Sequence, residues 1–214
     1  MDLGYYRLQS SYENTMLPVY ILSTSLLILA PGANMMLMLA LASQHGSNAA
    51  RRAAVGLACG VLCHTALAAS GGAYAFHRWP AMLQVIQISG GVVLVWIGGQ
   101  LLYRQLWPTQ SGHAPVSASV QSPFFQGLFS SMTNVKTLVL FVSFLPQFFE
   151  PGQPVGAQFL LHGGIYALLT LSIYACIGSL AGYFADTLRH PQLQRWLRGI
   201  AGCVIIGFGV MGVL

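Results

Sequence analysis

Of the 214 residues only 6% are charged and 55% are hydrophobic, with a mean hydropathy of +0.65. A soluble domain carries about 25% charged residues, so these figures exclude a soluble globule, a disordered chain and a disulfide-stapled secreted module. The net charge of +5 comes from nine Lys and Arg against four Asp and Glu, and no basic cluster exceeds Arg51-Arg52, which excludes a nucleic-acid partner.

What remains is an all-α integral membrane protein. Residues 1–16 are mixed and polar, and a first apolar run spans 17–43. That run lacks the basic leader of a signal peptide and continues past Pro31-Gly32 into MMLMLALA, so it reads as a span that is retained. Further apolar runs at 54–76, 81–103, 124–149, 158–184 and 197–214 bring the expectation to six transmembrane helices. The connections are short except for 104–122, a Ser-, Pro- and Gln-rich linker. The chain 1–214 is thus a single membrane domain, with a first three-helix repeat over 17–103 and a second over 123–214. The loops after spans one, three and five hold Arg51, Arg52, Arg104, Arg189, Arg195 and Arg198, whereas the opposite side holds Arg7 and Arg78. The positive-inside rule then places both termini outside the cytoplasm.

The halves resemble each other. Asn34 follows a helix interruption in span one, and Asn134 has a matching place in span four. Pro80 precedes span three as Pro191 precedes span six, and GVVLVWIG at 91–98 aligns with GCVIIGFG at 202–209. An odd number of spans per half forces the second copy in from the opposite face, so the expected architecture is two inverted three-helix repeats, each with a broken first helix.

The residues that break the apolar pattern are the candidate site. Pro31-Gly32 cuts span one near its middle, and Asn34 is expected to cap the half-helix that follows. Span four carries Ser130-Ser131-Met132-Thr133-Asn134-Val135-Lys136-Thr137, with Lys136 the only lysine in the chain. A central Lys costs about 2.5–3.5 kcal/mol to insert, so it is expected to face protein or water. Asn134 and Lys136 diverge by about 200° on a regular helix, so an irregular segment is expected there. Two broken helices meeting at mid-membrane offer an N-terminus to a carboxylate, and free carbonyls with Asn34 and Asn134 to an ammonium. That set suits a zwitterionic amino acid, with Pro31, Gly32, Asn34, Thr133, Asn134 and Lys136 as its binding residues. His64 and His162 are candidates for proton relay, because no Asp or Glu lies deep in a span. Trp96 lies deeper than Trp79, Trp107 and Trp196 and is expected to serve packing rather than a ligand cage.

Cys59, Cys63, Cys176 and Cys203 all lie in apolar runs and read as free. Cys59, Cys63 and His64 form the alternative: transport of metal ions or reducing equivalents. No catalytic constellation is recognisable, and no enzyme, cofactor or bound metal is expected. Small-residue pairs such as Gly56/Gly60 and Gly178/Gly182 are compatible with a homodimer or with packing inside one subunit.

These motifs carry a resemblance. APGANMMLMLA at 30–40, RAAVGLACGVLCH at 52–64, FFQGLFSSMTNVKTLVLFVSFLPQF at 124–148 and the closing WLRGIAGCVIIGFGVMGVL resemble the LysE/RhtB amino-acid exporters, of the lysine exporter and homoserine–threonine efflux type. The resemblance covers about residues 17–214. The family's Pro-Gly-Pro-Asn reads Pro31-Gly32-Ala33-Asn34 here, its Asn-Pro-Lys reads Asn134-Val135-Lys136, and the acidic residue many members carry in span two is replaced at Gly60-Val61. The resemblance implies a carrier of the bacterial inner membrane that exports amino acids from the cytoplasm, driven by the proton gradient. The scarcity of intramembrane charge points to small neutral substrates such as homoserine, threonine or leucine.

Overall fold

The computed structural model describes residues 3–30, 32–72, 81–106, 122–150 and 152–211. Helix α1 (Leu3–Leu29) stops before the Pro31-Gly32 pair. Gly32 is extended (φ −168°, ψ −173°), and α2 starts at Ala33 and runs to Leu67, continued by a π-helical turn over Ala68–Gly72. A straight helix of that length would exceed the bilayer, but Gly46 (φ 80°, ψ 176°) breaks it at a kink into two helical halves, in a conformation that favours glycine. The remaining helices are α3 (Ala81–Leu106), α4 (Pro123–Thr133), α5 (Val135–Val139), α6 (Val155–Arg189) and α7 (Pro191–Met211). Helix α5 runs on through a π-turn at Leu140–Phe144 and a 3-10 turn at Leu145–Phe148. Pro123 and Pro191 open α4 and α7, where the missing N–H costs nothing.

The stretches Ala33–Gly71, Val155–Leu180 and Pro191–Val210 are long and apolar enough to cross a membrane, and Met16–Leu29 is a shorter apolar helix. Side chains such as Val85, Val92, Trp96, Leu168 and Trp196 are exposed, a set that suits lipid rather than water. Trp96, expected to pack rather than to line a ligand cage, is 63% exposed.

Helix α2 is the centre of the packing. It lies parallel to α4, where a Cβ on Gly56 or Gly127 would overlap the carbonyl oxygens of Phe124 and Ala53. It lies antiparallel to α6, with Gly178 against Ala50 and Gly163 against Thr65. The small residues let these backbones approach closely within one chain, so Gly56, Gly60 and Gly178 supply no argument for a homodimer. Helices α3 and α7 form a second pair, with Gly209 against Gly91 and Val95.

Several boundaries move. Helix α1 reaches back to Leu3, because helicity does not require apolar residues and hydropathy reports only the bilayer portion. The linker 104–122 begins inside α3, which keeps Arg104–Leu106, and residues 107–121 lie outside the described residues. Pro31, Arg78, Trp79, Pro80 and Trp107 also lie outside them. Helix α6 extends to Arg189, so only His190 separates it from α7.

Candidate functional site

An α-helix leaves its last four carbonyls without intrahelical partners. At the end of α1 one of them is met locally and two are met from far along the chain. Ala30 N donates to Leu26 O at 2.9 Å; Lys136 Nζ donates to Leu27 O at 2.9 Å and to Ala30 O at 3.3 Å; the Tyr174 hydroxyl donates to Ile28 O at 3.1 Å. The lone lysine of span four thus caps the broken helix of span one. Hydrogen bonds from a charged donor contribute about 1.5–3 kcal/mol each, enough for two of them to offset the cost of placing Lys in a bilayer. Its partners are carbonyls, and no carboxylate joins them among the described residues.

The second break is built by Asn134. Its backbone is extended (φ −75°, ψ 105°), it ends α4, and its Oδ1 accepts from Lys136 N at 3.0 Å to cap α5. This resolves the 200° divergence: Asn134 stands outside the helix that carries Lys136. Removing the cap in Asn134→Ala is expected to cost about 1 kcal/mol. For a chain of this size that corresponds to about 2–4 °C in Tm, checked by a thermal scan in detergent. The last turn of α4 also receives a distant donor. Ser131 O faces His64 Nε2 at 3.3 Å and accepts from Asn134 N at 3.3 Å. A carbonyl only accepts, so Nε2 of His64 is the donor in this contact.

The breaks face each other. Ser130 Oγ donates to Asn34 Oδ1 at 2.9 Å, a link between α4 and α2 across 96 residues of chain. Asn34 is buried, but it is not the cap expected of it. Extended Gly32 occupies that position, without a side chain, and Asn34 sits one residue further into α2 than the first helical position. Gly32 lies beside the lysine: a Cβ there would be 3.7 Å from Lys136 Nζ. The N-terminus of α2, with no side-chain cap, therefore adjoins an ammonium.

Of the residues expected at the site, Gly32, Asn34, Asn134 and Lys136 converge. Pro31 lies outside the described residues. Thr133 is exposed, and its hydroxyl donates to Phe129 O of its own helix at 2.7 Å. His64 joins the second break. His162 stands elsewhere, with Nδ1 2.9 Å from Gln158 O and its ring edge-on to Tyr20. Cys59, Cys63 and His64 do not assemble, since Cys63 is exposed whereas His64 is buried against α4. No group of three metal-ligating side chains is present among the described residues. Ser130 and Tyr174 are contributors that the sequence reading missed. Ser130 lay in the polar stretch but was indistinguishable from its neighbours. Tyr174 had no signal beyond being a polar residue of α6.

The profile of the LysE type translocators matches residues 25–213. The chain belongs to that family. It is similar to the threonine efflux protein of Salmonella typhimurium, with 28% identity over 86% of this chain and 90% of the relative. The homoserine/homoserine lactone efflux protein of Salmonella typhi is 25% identical over 90% of this chain and 93% of its own length. The leucine efflux protein of Enterobacter sp. is 25% identical over 88% of this chain and 90% of its own. No solved structure matches. Family membership and the apolar helices together make the chain a multi-pass membrane protein and a transporter.

Proposed function

We propose that the chain exports small neutral amino acids across the bacterial inner membrane, exchanging them for protons. The supporting observation is the meeting of the two breaks. Lys136 Nζ, unpaired with any described carboxylate, stands next to the uncapped N-terminus of α2. Both attract an anion, so the substrate carboxylate belongs between them. The α-ammonium then faces oxygen acceptors: Asn34 Oδ1 and the α1 carbonyls that Lys136 releases when it turns to the carboxylate. The set holds one ammonium and no described acid, which favours neutral substrates over lysine or arginine. The relatives' names, for threonine, homoserine and leucine, point the same way.

Two inverted repeats of three spans, with both termini outside the cytoplasm, fit this reading. Helices of the first half pack on their counterparts in the second: α2 on α6, antiparallel, and α3 on α7. Gly91 and Gly209, from the two aligned Gly-rich segments, meet in the second pair. In this orientation Phe149 and Glu150 lie at the outer end and Gly46 at the cytoplasmic one.

The test is transport by the purified protein in proteoliposomes with imposed pH or sodium gradients, screened over labelled threonine, homoserine, leucine and lysine. A pH gradient is expected to drive the neutral amino acids, and lysine weakly or not at all. Absence of flux for every amino acid would overturn the reading.

A further inference from the structure

Beyond Lys136 the chain of α5 loses regular helical geometry. A π-turn covers Leu140–Phe144, a 3-10 turn covers Leu145–Phe148, and Phe149 is extended (φ −80°, ψ 134°). Departures of this kind mark hinges, and Pro146 has no N–H with which to hold the helix straight. Rings from three other helices gather around this arm. Between ring centroids, Tyr20 of α1 lies 5.0 Å from Phe148 and 4.9 Å from His162 of α6, and Phe149 lies 5.7 Å from His162. Phe208 of α7 lies 5.1 Å from Phe144 and 4.8 Å from Phe148. Tyr20 precedes Leu27 on α1, so the rings sit about 10 Å along that helix from the carbonyls that hold Lys136 Nζ.

Core packing alone does not explain the place of these rings. Asn34 and Asn134 are 100 residues apart, and the same offset pairs Ser43 with Ser143 and Gly46 with Pro146, a backbone breaker in each half. The first-half segment, Ser43-Gln44-His45-Gly46-Ser47-Asn48, is polar and exposed throughout, as the water-facing end of a membrane helix is expected to be. Its counterpart, Ser143-Phe144-Leu145-Pro146-Gln147-Phe148, is buried except for half-buried Gln147. Gly32, Asn134 and Lys136 meanwhile stay partly exposed. The site is therefore plugged with apolar side chains toward one end only. A few polar bonds hold the plug. Gln158 Oε1 accepts from Glu150 N at 2.6 Å, and its Nε2 donates to Glu150 O at 3.1 Å and to Gln153 O at 3.3 Å. The Tyr20 hydroxyl donates to His162 O at 2.7 Å.

We infer that these rings are the outer gate of the export path, and that the structure is the carrier with this gate closed. The inference rests on the proposed export and its orientation, and adds the barrier between the amino-acid site and the outside. An ammonium and a carboxylate entering the ring cluster would lose their hydration without gaining partners, so the closed gate holds the substrate back. Opening separates Phe148 and Phe149 from Tyr20 and His162, and the irregular arm from Leu140 to Phe148 absorbs the backbone change. Gln158 is the latch, because it grips Glu150, next to Phe149, by both backbone groups.

The test reads the gate in two ways. Phe148→Cys is made in the full chain, spheroplasts are treated with a membrane-impermeant maleimide, and the label at residue 148 is measured by mass spectrometry. Labelling is expected to be slow, and about tenfold faster once Gln158→Leu removes the latch. Equal rates with and without Gln158→Leu would overturn the gate, as would preferential labelling of inside-out vesicles. The second measurement uses Phe149→Cys with Phe159→Cys, a pair whose native rings lie 4.8 Å apart between centroids. A short reducible bis-thiosulfonate then ties the arm to α6, with the treated wild type as the control for its native cysteines. Cross-linking is expected to lower threonine flux in proteoliposomes by about 100-fold, to leave threonine binding in detergent within about twofold, and to be reversed by a thiol reductant. Undiminished flux after cross-linking would overturn the gate, as would an equal loss of flux and binding. Absence of wild-type threonine flux would instead overturn the proposed substrate, and the labelling, which needs no substrate, still decides the gate.

Discussion

Lys136→Met is expected to abolish export while leaving the protein folded and inserted. Methionine keeps the length of the side chain and loses the ammonium. In the resting protein this removes two hydrogen bonds to Leu27 O and Ala30 O. Tyr174 still caps Ile28 O, and Ala30 N still reaches Leu26 O, so α1 keeps half of its terminal bonds. Removing the charge also lifts the insertion cost of about 2.5–3.5 kcal/mol, so stability changes little. Substrate binding, in contrast, loses the partner of a desolvated carboxylate. Truncating one member of such a pair costs about 2–5 kcal/mol, which is about 30- to 4,000-fold in affinity. The check is labelled threonine binding and flux beside size-exclusion and thermal profiles. Lys136→Arg is expected to rescue poorly, because a planar guanidinium is wider than the ammonium it replaces.

Gly127→Val is expected to do the reverse and destroy the fold. The added Cβ would overlap the carbonyl oxygen of Ala53, a backbone atom of α2 that cannot move away without breaking the α2–α4 contact. The same contact positions His64 against Ser131 and Ser130 against Asn34, so both breaks would lose their register. Overpacking costs about 1–3 kcal/mol where side chains can adjust, and a backbone clash exceeds that range. Gly127→Ala meets the same atom with a smaller group. The expected outcome is little monodisperse protein for Val and a lowered Tm for Ala, read from fluorescence-detected size exclusion. Gly164, which has open space around it, serves as the tolerant control.

Much of the site was readable where a residue's local effect decides its place. Pro31-Gly32 had to end α1, and the polar run around Asn134 had to disturb span four, because proline removes a donor and asparagine competes for the backbone. Asn134 was legible as an interruption, and its cap explains it. Asn34 was misread, because an extended glycine can take the capping place and free the asparagine for a tertiary bond with Ser130. The partners of Lys136 were not legible. They are backbone carbonyls of α1, more than a hundred residues away, and a carbonyl has no sequence signature. Tyr174 was legible only as a polar residue of α6, because a hydroxyl among apolar neighbours does not say which carbonyl it will meet. The length of α1 was hidden for a simpler reason: its first turns are polar, and hydropathy reports membrane depth rather than helicity.

The central claim is that the two breaks hold the amino acid between them. It is tested most directly by a high-resolution structure with threonine or leucine bound. The account predicts the substrate carboxylate within hydrogen-bond distance of Lys136 Nζ and the first turn of α2, with its ammonium toward Asn34. Substrate density away from both breaks, with Lys136 still bonded to Leu27 O and Ala30 O, would contradict it.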